Sequence, residues 1–188
     1  MGRPKLLLPW GETTVIAHLL RQWEALGAQQ AAVVTTADAS ALRSELKRLN
    51  FPGSNLIFNP DPERGMFSSI QCAAAWRGWE RGLTHLLISL GDQPHLKLET
   101  LQRLVHFAAA NPGKICQPTQ NDHRRHPVIF PQAAFAALAN SNAENLKEFL
   151  LQHQEQLSSF ESTDPGLSTD MDTPEDYERA KELYFGKS

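Results

Sequence analysis

Three aspartates are the residues of this sequence whose type and spacing most directly suggest chemistry. Asp92 follows the mostly apolar run Leu86–Leu90 and Gly91, so a strand would present its carboxylate at the edge of a sheet. Asp170 and Asp172 are one residue apart, and alternate residues of an extended segment share a face. Because Mg²⁺ takes one or two carboxylates plus substrate phosphate oxygens, we predict a Mg²⁺ site of Asp92 with Asp170 or Asp172. The alternatives are a turn cap at Asp92 and a helix-dipole interaction at Asp172.

The N-terminus has the residue types of a phosphate-binding turn. Gly2 permits a tight turn in which backbone N–H groups approach an anion, and Lys5, three residues later, supplies fixed positive charge. The apolar residues Leu6–Leu8 would then lie against the protein. A short basic segment before an apolar one also occurs without any function. No strand precedes the turn in this sequence, so we expect that part of a nucleotide-binding loop is missing.

Two polar residues stand at the ends of predicted strands. Thr36 ends the apolar, β-branched run 31–36, and Asn59 follows the short strand 56–58. Ligands of parallel sheets bind beyond the carboxyl ends of the strands, so both residues are candidates for nucleotide contacts.

Two further segments could contact a substrate. Gly65–Ser69 begins a helix, where free N–H groups and the hydroxyls of Ser68 and Ser69 could bind an anion, although Ser also serves there as a plain N-cap. His126 ends the basic segment 122–126, which precedes a buried strand at 127–130. That segment is either a solvated loop or the rim of a substrate pocket.

The order of elements predicts an α/β protein. Strands and helices alternate, which implies a mostly parallel sheet covered by helices on both faces. Strands are expected at 31–36, 56–58, 86–90, 114–116 and 127–130, and helices at 14–26, 40–49, 65–79, 98–110, 131–139, 143–153 and from Pro174 onward. The region 158–168 is expected to be a polar loop with a short strand before it.

Composition narrows the class of protein. The 188 residues predict a single domain over 1–188, and a hydrophobic content of 41% with a charged content of 21% is ordinary for a soluble protein. The net charge of −3 gives no basic field for nucleic acid or anionic lipid. The two cysteines have no metal-ligand spacing, and no signal peptide or membrane span is found. We therefore expect a cytoplasmic protein with neither nucleic-acid nor membrane partners.

Five motifs occur in one order along the chain: Met1–Leu8, Asn59–Ser69, Gly91–Pro94, His126–Val128 and Asp170–Asp176. Together they resemble the MobA-like nucleotidyltransferases, most closely the molybdenum cofactor cytidylyltransferase (MocA-like) branch. The resemblance implies a three-layer Rossmann-like fold and Mg²⁺-dependent transfer of a nucleoside monophosphate from an NTP. CMP is favoured over GMP, a molybdopterin-type cofactor is the implied acceptor of the transfer, pyrophosphate leaves, and a molybdenum enzyme is a possible partner.

The resemblance also implies roles for individual residues. Lys5 and Asp92 would be catalytic, and Asp92, Asp170 and Asp172 would hold the metal. The nucleotide-binding residues would be Gly2, Arg3, Lys5, Thr36, Asn59 and Asp92. The acceptor-binding residues would be Gly65, Met66, Ser68, Ser69 and His126.

The sequence departs from the family pattern in three places. The family's first strand and glycine loop are absent before Met1, Gln93 replaces a methionine, and Arg125 replaces a glycine. We therefore expect an N-terminally incomplete domain with low or no activity. The alternatives are a GTP-dependent guanylyltransferase, a sugar-phosphate nucleotidyltransferase of the same fold, or a degenerate protein that binds the cofactor or a partner without chemistry.

Overall fold

The computed structural model describes residues 4–186. Gly2 and Arg3, two of the expected nucleotide-binding residues, lie outside this range. Within it the helices are α1 (Val15–Ala25), α2 (Ser40–Arg48), α3 (Met66–Ala75), α4 (Leu98–Ala110), α5 (Gln132–Ala137), α6 (Leu146–Gln152) and α7 (Pro174–Phe185). The strands are β1 (Pro9–Trp10), β2 (Thr13–Thr14), β3 (Val33–Thr35), β4 (Leu56–Phe58), β5 (His85–Ile88), β6 (Ile115–Gln120), β7 (His123–Arg124), β8 (Val128–Pro131) and β9 (Leu157–Glu161).

The main sheet has five strands and is mixed. Its order is β5-β8-β6-β7, and β9 pairs with β6. The β6–β9 pair is parallel, whereas β8 runs antiparallel to both β5 and β6. The α/β architecture is confirmed, but the expectation of a mostly parallel sheet is wrong for this part. One antiparallel pair has a local cause: Asn121 and Asp122, both at positive φ, join β6 to β7 in a tight turn, and such a short connection can only produce antiparallel strands.

Helices cover both faces of the main sheet, as expected. Ile115 and Phe130 face the cluster formed with α3, α5 and α6. Their neighbours Cys116 and Ile129 face the opposite way and pack with Leu104 of α4. This alternation follows from the two-residue period of a strand, and it produces the three layers of the fold.

A second sheet consists of β3 and β4, paired in parallel with Thr35 opposite Phe58. Among the described residues, β3 pairs only with β4 and β5 pairs only with β8, so each strand has one edge without a partner strand. Both strands border a cleft of about 710 Å³, whose lining includes Val33 and Val34 on one side and Leu86–Ile88 on the other. The cleft thus separates the β3–β4 sheet from the main sheet and is largely apolar.

Several boundaries differ from the expectation for physical reasons. Helix α3 ends at Ala75 rather than near Trp79, because Trp76 adopts an extended conformation and the Trp79 indole N–H donates to the Ala73 carbonyl at 2.9 Å. Part of the segment expected to be a polar loop is strand β9, which is stabilised by its parallel pairing with β6 and by the burial of Phe160 against Phe107. The basic segment contributes the short strand β7.

The first and last segments of the described chain pack together. Trp10 and Val15 share a buried cluster with Met171 and with Ala180 of α7. Helix α7 begins with the expected cap, in which the Thr173 hydroxyl accepts from the Asp176 N–H and the Asp176 carboxylate accepts from the Thr173 N–H. This packing carries Asp170 and Asp172 toward the N-terminal segment. None of the helices in residues 4–186 is both long and apolar enough to cross a bilayer.

Candidate active site

Close packing between Leu6 and Gly91 sets the position of Lys5. Lys5 begins a single 3₁₀ turn, Lys5–Leu7, and Gly91 directly follows the segment that leaves β5. A β-carbon at position 91 would lie 2.7 Å from Leu6 Cδ2, closer than van der Waals contact allows. Glycine at this position lets the opening turn lie directly on the end of the β5 segment, with Lys5 beside Asp92.

The Lys5 ammonium lies between two carboxylates. Its Nζ is 2.6 Å from Asp172 Oδ1 and 3.7 Å from Asp92 Oδ2. The hydrogen bond to Asp172 raises the pKa of Lys5 above its ordinary 10.5, and Asp92 acts in the same direction against the effect of burial. Lys5 is therefore fully charged at neutral pH, and the expected convergence of Asp92 and Asp172 occurs.

Asp170 joins the same region through Gln93. The Gln93 side-chain N–H donates to Asp170 Oδ1 at 2.9 Å, and Met171 between the two aspartates is fully buried. Asp170 is thus tied to the residue that follows Asp92, but its part in holding a metal stays a prediction. Sequence reasoning assigned no role to Gln93, although its replacement of the family's methionine was the signal that could have suggested one.

The carboxylates fit a divalent ion that arrives with phosphate. Asp92 Oδ1 is buried and has no hydrogen-bond partner in the described structure, which leaves a hard oxygen donor available. Across residues 4–186, no cluster of three or more His, Cys, Asp or Glu side chains is arranged to hold a metal by itself. Two carboxylates nevertheless match the mode in which Mg²⁺ keeps waters and completes its shell with substrate phosphates.

His126 lies close enough to Asp92 and Asp170 for their charges to affect its pKa. Burial lowers the pKa of His126 below 6.5, while Asp92 and Asp170 oppose this shift. The imidazole is therefore neutral at neutral pH, and its Nδ1 is buried without a partner in the described structure. A contact of His126 with the acceptor stays a prediction.

Asn59 and Ser68, by contrast, are engaged inside the protein. The Asn59 amide donates to Ser68 Oγ at 2.8 Å and to Ser69 Oγ at 3.0 Å, and its oxygen accepts from the Asp61 N–H at 2.9 Å. The Ser68 hydroxyl donates to the Gly65 carbonyl oxygen at 2.8 Å. These bonds tie the end of β4 to the start of α3. Contacts of Asn59 with a nucleoside and of Ser68 with an acceptor stay predictions.

The start of α3 borders the cleft between the sheets. Gly65 has a φ of 82°, a conformation that other residues rarely adopt, and it precedes the exposed Met66. Met66 and Ser69 line the cleft together with Leu6 and Gly91, the neighbours of Lys5 and Asp92. The cleft is therefore bordered by the predicted acceptor segment and by the chain neighbours of Lys5 and Asp92, whose own side chains do not line it.

Thr36 is half-buried just beyond β3. Its side chain hydrogen-bonds to Asp38 and lowers the pKa of that carboxyl. The structure does not place Thr36 in contact with Lys5 or the three aspartates, and a nucleotide contact there stays a prediction.

An α/β fold that gathers a lysine and carboxylates at the end of a buried strand is typical of enzymes that bind nucleotides with a metal. Residues 1–157 match the family model of the MobA-like NTP transferase domain, and the chain belongs to this family. It is thus a nucleotidyltransferase by family, which confirms the resemblance found in the sequence.

Two curated relatives align over nearly the whole chain. The molybdenum cofactor cytidylyltransferase of Escherichia coli (strain K12) is 25% identical over 185 residues, covering 98% of this chain and 90% of the relative. The nicotine blue oxidoreductase of Paenarthrobacter nicotinovorans is 26% identical over 185 residues, covering 93% and 87%. The names of these two relatives describe different activities.

A solved structure supports the fold and bears on the metal. The Rv0371C complex with manganese from Mycobacterium tuberculosis H37Rv superposes with a TM-score of 0.69 at 28% identity, covering 96% of this chain and 93% of that one. That complex contains manganese, a divalent metal other than magnesium.

Proposed function

We propose that this protein transfers CMP from CTP to the phosphate of a molybdopterin-type cofactor and releases pyrophosphate. The family membership and the similarity to a molybdenum cofactor cytidylyltransferase support this choice. The observation that carries it is the meeting of Lys5, Asp92 and Asp172, which are far apart in sequence, around one point.

The reaction needs charge neutralisation more than it needs a protein nucleophile. An oxygen of the acceptor phosphate, already anionic near neutral pH, attacks the α-phosphorus, and the bond between that phosphorus and the pyrophosphate oxygen breaks. Such transfers are accelerated by positioning and by charges placed where negative charge develops. Lys5 is suited to bind the leaving pyrophosphate because its ammonium is charged at neutral pH and 35% of its side chain is exposed.

Asp92 and Asp172 would hold a Mg²⁺ ion. When bound, the ion would neutralise phosphate charge and fix the triphosphate geometry. Asp170, held by Gln93, would stand beside the pair, and the neutral ring of His126 would face the acceptor side. Met66 and Ser69 would contact the acceptor across the cleft that they line.

Other nucleotides and acceptors remain as alternatives within the same chemistry. A guanylyltransferase or a sugar-phosphate nucleotidyltransferase would use the same lysine and carboxylates. A protein that only holds the cofactor would keep the fold without turnover. Because one relative is named as an oxidoreductase, the assay must detect the nucleotidyl-transfer product itself.

The test is release of pyrophosphate from each of the four NTPs, with Mg²⁺ and the molybdopterin cofactor, by the purified protein. We expect slow release that is higher with CTP than with the other nucleotides, depends on the acceptor and forms the cytosine dinucleotide. Asp92→Asn should lower turnover at least about a hundredfold, because removing one well-placed charge-stabilising group has this magnitude.

Asp122→Asn is the matched control. Asp122 is an exposed aspartate at positive φ in the β6–β7 turn, where asparagine is equally acceptable, and it should leave turnover unchanged. Equal turnover by Asp92→Asn and the unsubstituted protein would contradict the metal role. Binding of the cofactor without pyrophosphate release from any NTP would support the non-catalytic alternative.

A further inference from the structure

The ammonium of Lys5 occupies the position between Asp92 and Asp172 that a metal ion would need. We propose that Lys5 acts as an internal counter-ion, so that the site accepts a metal–triphosphate complex and discriminates against the free metal ion. The inference rests on the proposed function, because it concerns the form in which the nucleotide and metal enter that same site.

Lys5 is the cation that lies between the carboxylates of Asp92 and Asp172. Its Nζ is within 3.7 Å of both carboxylates, and in the described residues no other lysine, arginine or histidine nitrogen lies within 4.0 Å of either. The side chains of Asp92 and Lys5 are 27% and 35% exposed, whereas that of Asp172 is 70% exposed. A ligand can therefore reach the ion pair from the side of Asp172.

A free divalent ion meets two obstacles at this point. It must separate Lys5 from its carboxylates, and it then stands a few ångströms from a like charge. A triphosphate removes both obstacles, because its oxygens give the displaced ammonium a new anionic partner. Lys5 would thus exchange its carboxylates for phosphate, and Asp92 and Asp172 would be free to hold the metal.

Thermodynamic linkage makes this exchange measurable. If the triphosphate raises the affinity for the metal by releasing Lys5, the metal raises the affinity for the triphosphate by the same factor. The competing explanation is a plain structural ion pair between the first and last segments. A plain structural ion pair would add little to stability because it is exposed, and it would not couple the affinity for the triphosphate to that for the metal.

The first experiment measures binding of Mn²⁺ alone by the loss of its free-ion electron paramagnetic resonance signal. Lys5→Met removes the charge and keeps an unbranched side chain, and we expect it to bind Mn²⁺ about tenfold more tightly than the unsubstituted protein. Lys5→Arg keeps the charge and should bind as weakly as the unsubstituted protein. Lys47→Met, at an exposed lysine of α2, controls for the change in net charge and should have no effect.

The second experiment measures the reciprocal effect with CTP in the presence of a chelator. Asp172→Asn releases Lys5 from its nearest partner, so it should bind metal-free CTP several-fold more tightly. Glu175→Gln removes an exposed acid three positions away that forms no bond to Lys5 in the described structure, and its effect should be smaller.

The outcomes separate the two proposals. Equal Mn²⁺ affinity of Lys5→Met and the unsubstituted protein, with nucleotidyl transfer retained in the unsubstituted protein, overturns the counter-ion role alone. Failure of every variant to bind Mn²⁺, with or without CTP, overturns the metal role in the proposed function together with this inference.

Discussion

Gln93 and Asp170 are joined by a hydrogen bond of 2.9 Å across 77 positions of the chain. Gln93 is 4% exposed, and its side-chain oxygen has no partner in the described structure, whereas Asp170 is exposed. The bond therefore fixes the direction of Asp170 without satisfying the whole amide. We therefore expect that placing a charged side chain at position 93 would lower the stability of the protein more than losing this bond would.

We expect Gln93→Met to change the free energy of unfolding by less than about 1 kcal/mol. The lost hydrogen bond is offset by removal of a buried, unpaired oxygen, and Asp170 can be solvated. Gln93→Glu should cost about 2 kcal/mol or more at pH 7.5, because it buries a carboxylate beside Asp170. Urea unfolding of both variants checks this, and a larger loss in Gln93→Met than in Gln93→Glu would contradict it.

Gly91→Ala should destabilise the protein by about 1–2 kcal/mol, since the new β-carbon would force Leu6 out of its place. Leu6→Val removes part of the obstacle. The double variant should therefore lose less free energy of unfolding than the sum of the two single variants. Urea unfolding of the four proteins gives the coupling energy, and strict additivity would mean that the Leu6–Gly91 contact does not set the local structure.

The apolar cleft between β3 and β5 should bind a hydrophobic dye in the native protein. A contiguous apolar surface of this kind is unusual on a folded monomer. We expect anilinonaphthalene sulfonate to fluoresce strongly with the native chain, and Val34→Lys, at the cleft wall, to reduce the signal by more than half.

Leu151→Lys is the control for the dye experiment. Leu151 is a 52% exposed leucine of α6 that does not line the cleft, so its replacement should leave the signal unchanged. The absence of dye fluorescence with the unsubstituted protein would show that the cleft is closed or filled in solution.

Acid should destabilise the protein between pH 7.5 and pH 5.5. Burial lowers the pKa of His18, His95 and His126 below 6.5, so the unfolded chain binds more protons than the folded one in this window. The stability contributed by the neutral rings is present above pH 6.5 and is lost as the pH falls. Each ring contributes a slope of at most about 1.4 kcal/mol per pH unit.

His95→Gln tests the pH dependence. His95 is 1% exposed and its Nε2 is 3.1 Å from the Gly166 carbonyl oxygen, so the variant will be less stable at every pH. The change of its free energy of unfolding with pH should, however, be smaller by the equivalent of about one proton. His123→Gln, at an exposed position of β7, should keep the slope. Urea unfolding at four pH values gives the slopes, and an unchanged slope in His95→Gln would assign the acid sensitivity to other groups.

Elements with local signals were predicted well. Helix α4 has the predicted bounds, and α7 begins at the predicted cap, because hydrophobic spacing and capping involve residues within one or two turns. The acidic group was also predicted, since a short strand ending in Gly91-Asp92 and the alternation of Asp170 with Asp172 are visible in the residue order. The internal hydrogen bonds of Asn59 were not predicted, because its partners could not be identified from the spacing of residues alone.

The sequence by itself determined the α/β class, the family and the set of charged residues available for chemistry, because these depend on local pattern and residue type. Only the tertiary structure decided that β8 runs antiparallel between β5 and β6, and that a cleft separates β3 from β5. It alone placed the Lys5 ammonium between Asp92 and Asp172. Strand pairing and ion pairing join residues distant in the chain, and their energies depend on distances that no local pattern encodes.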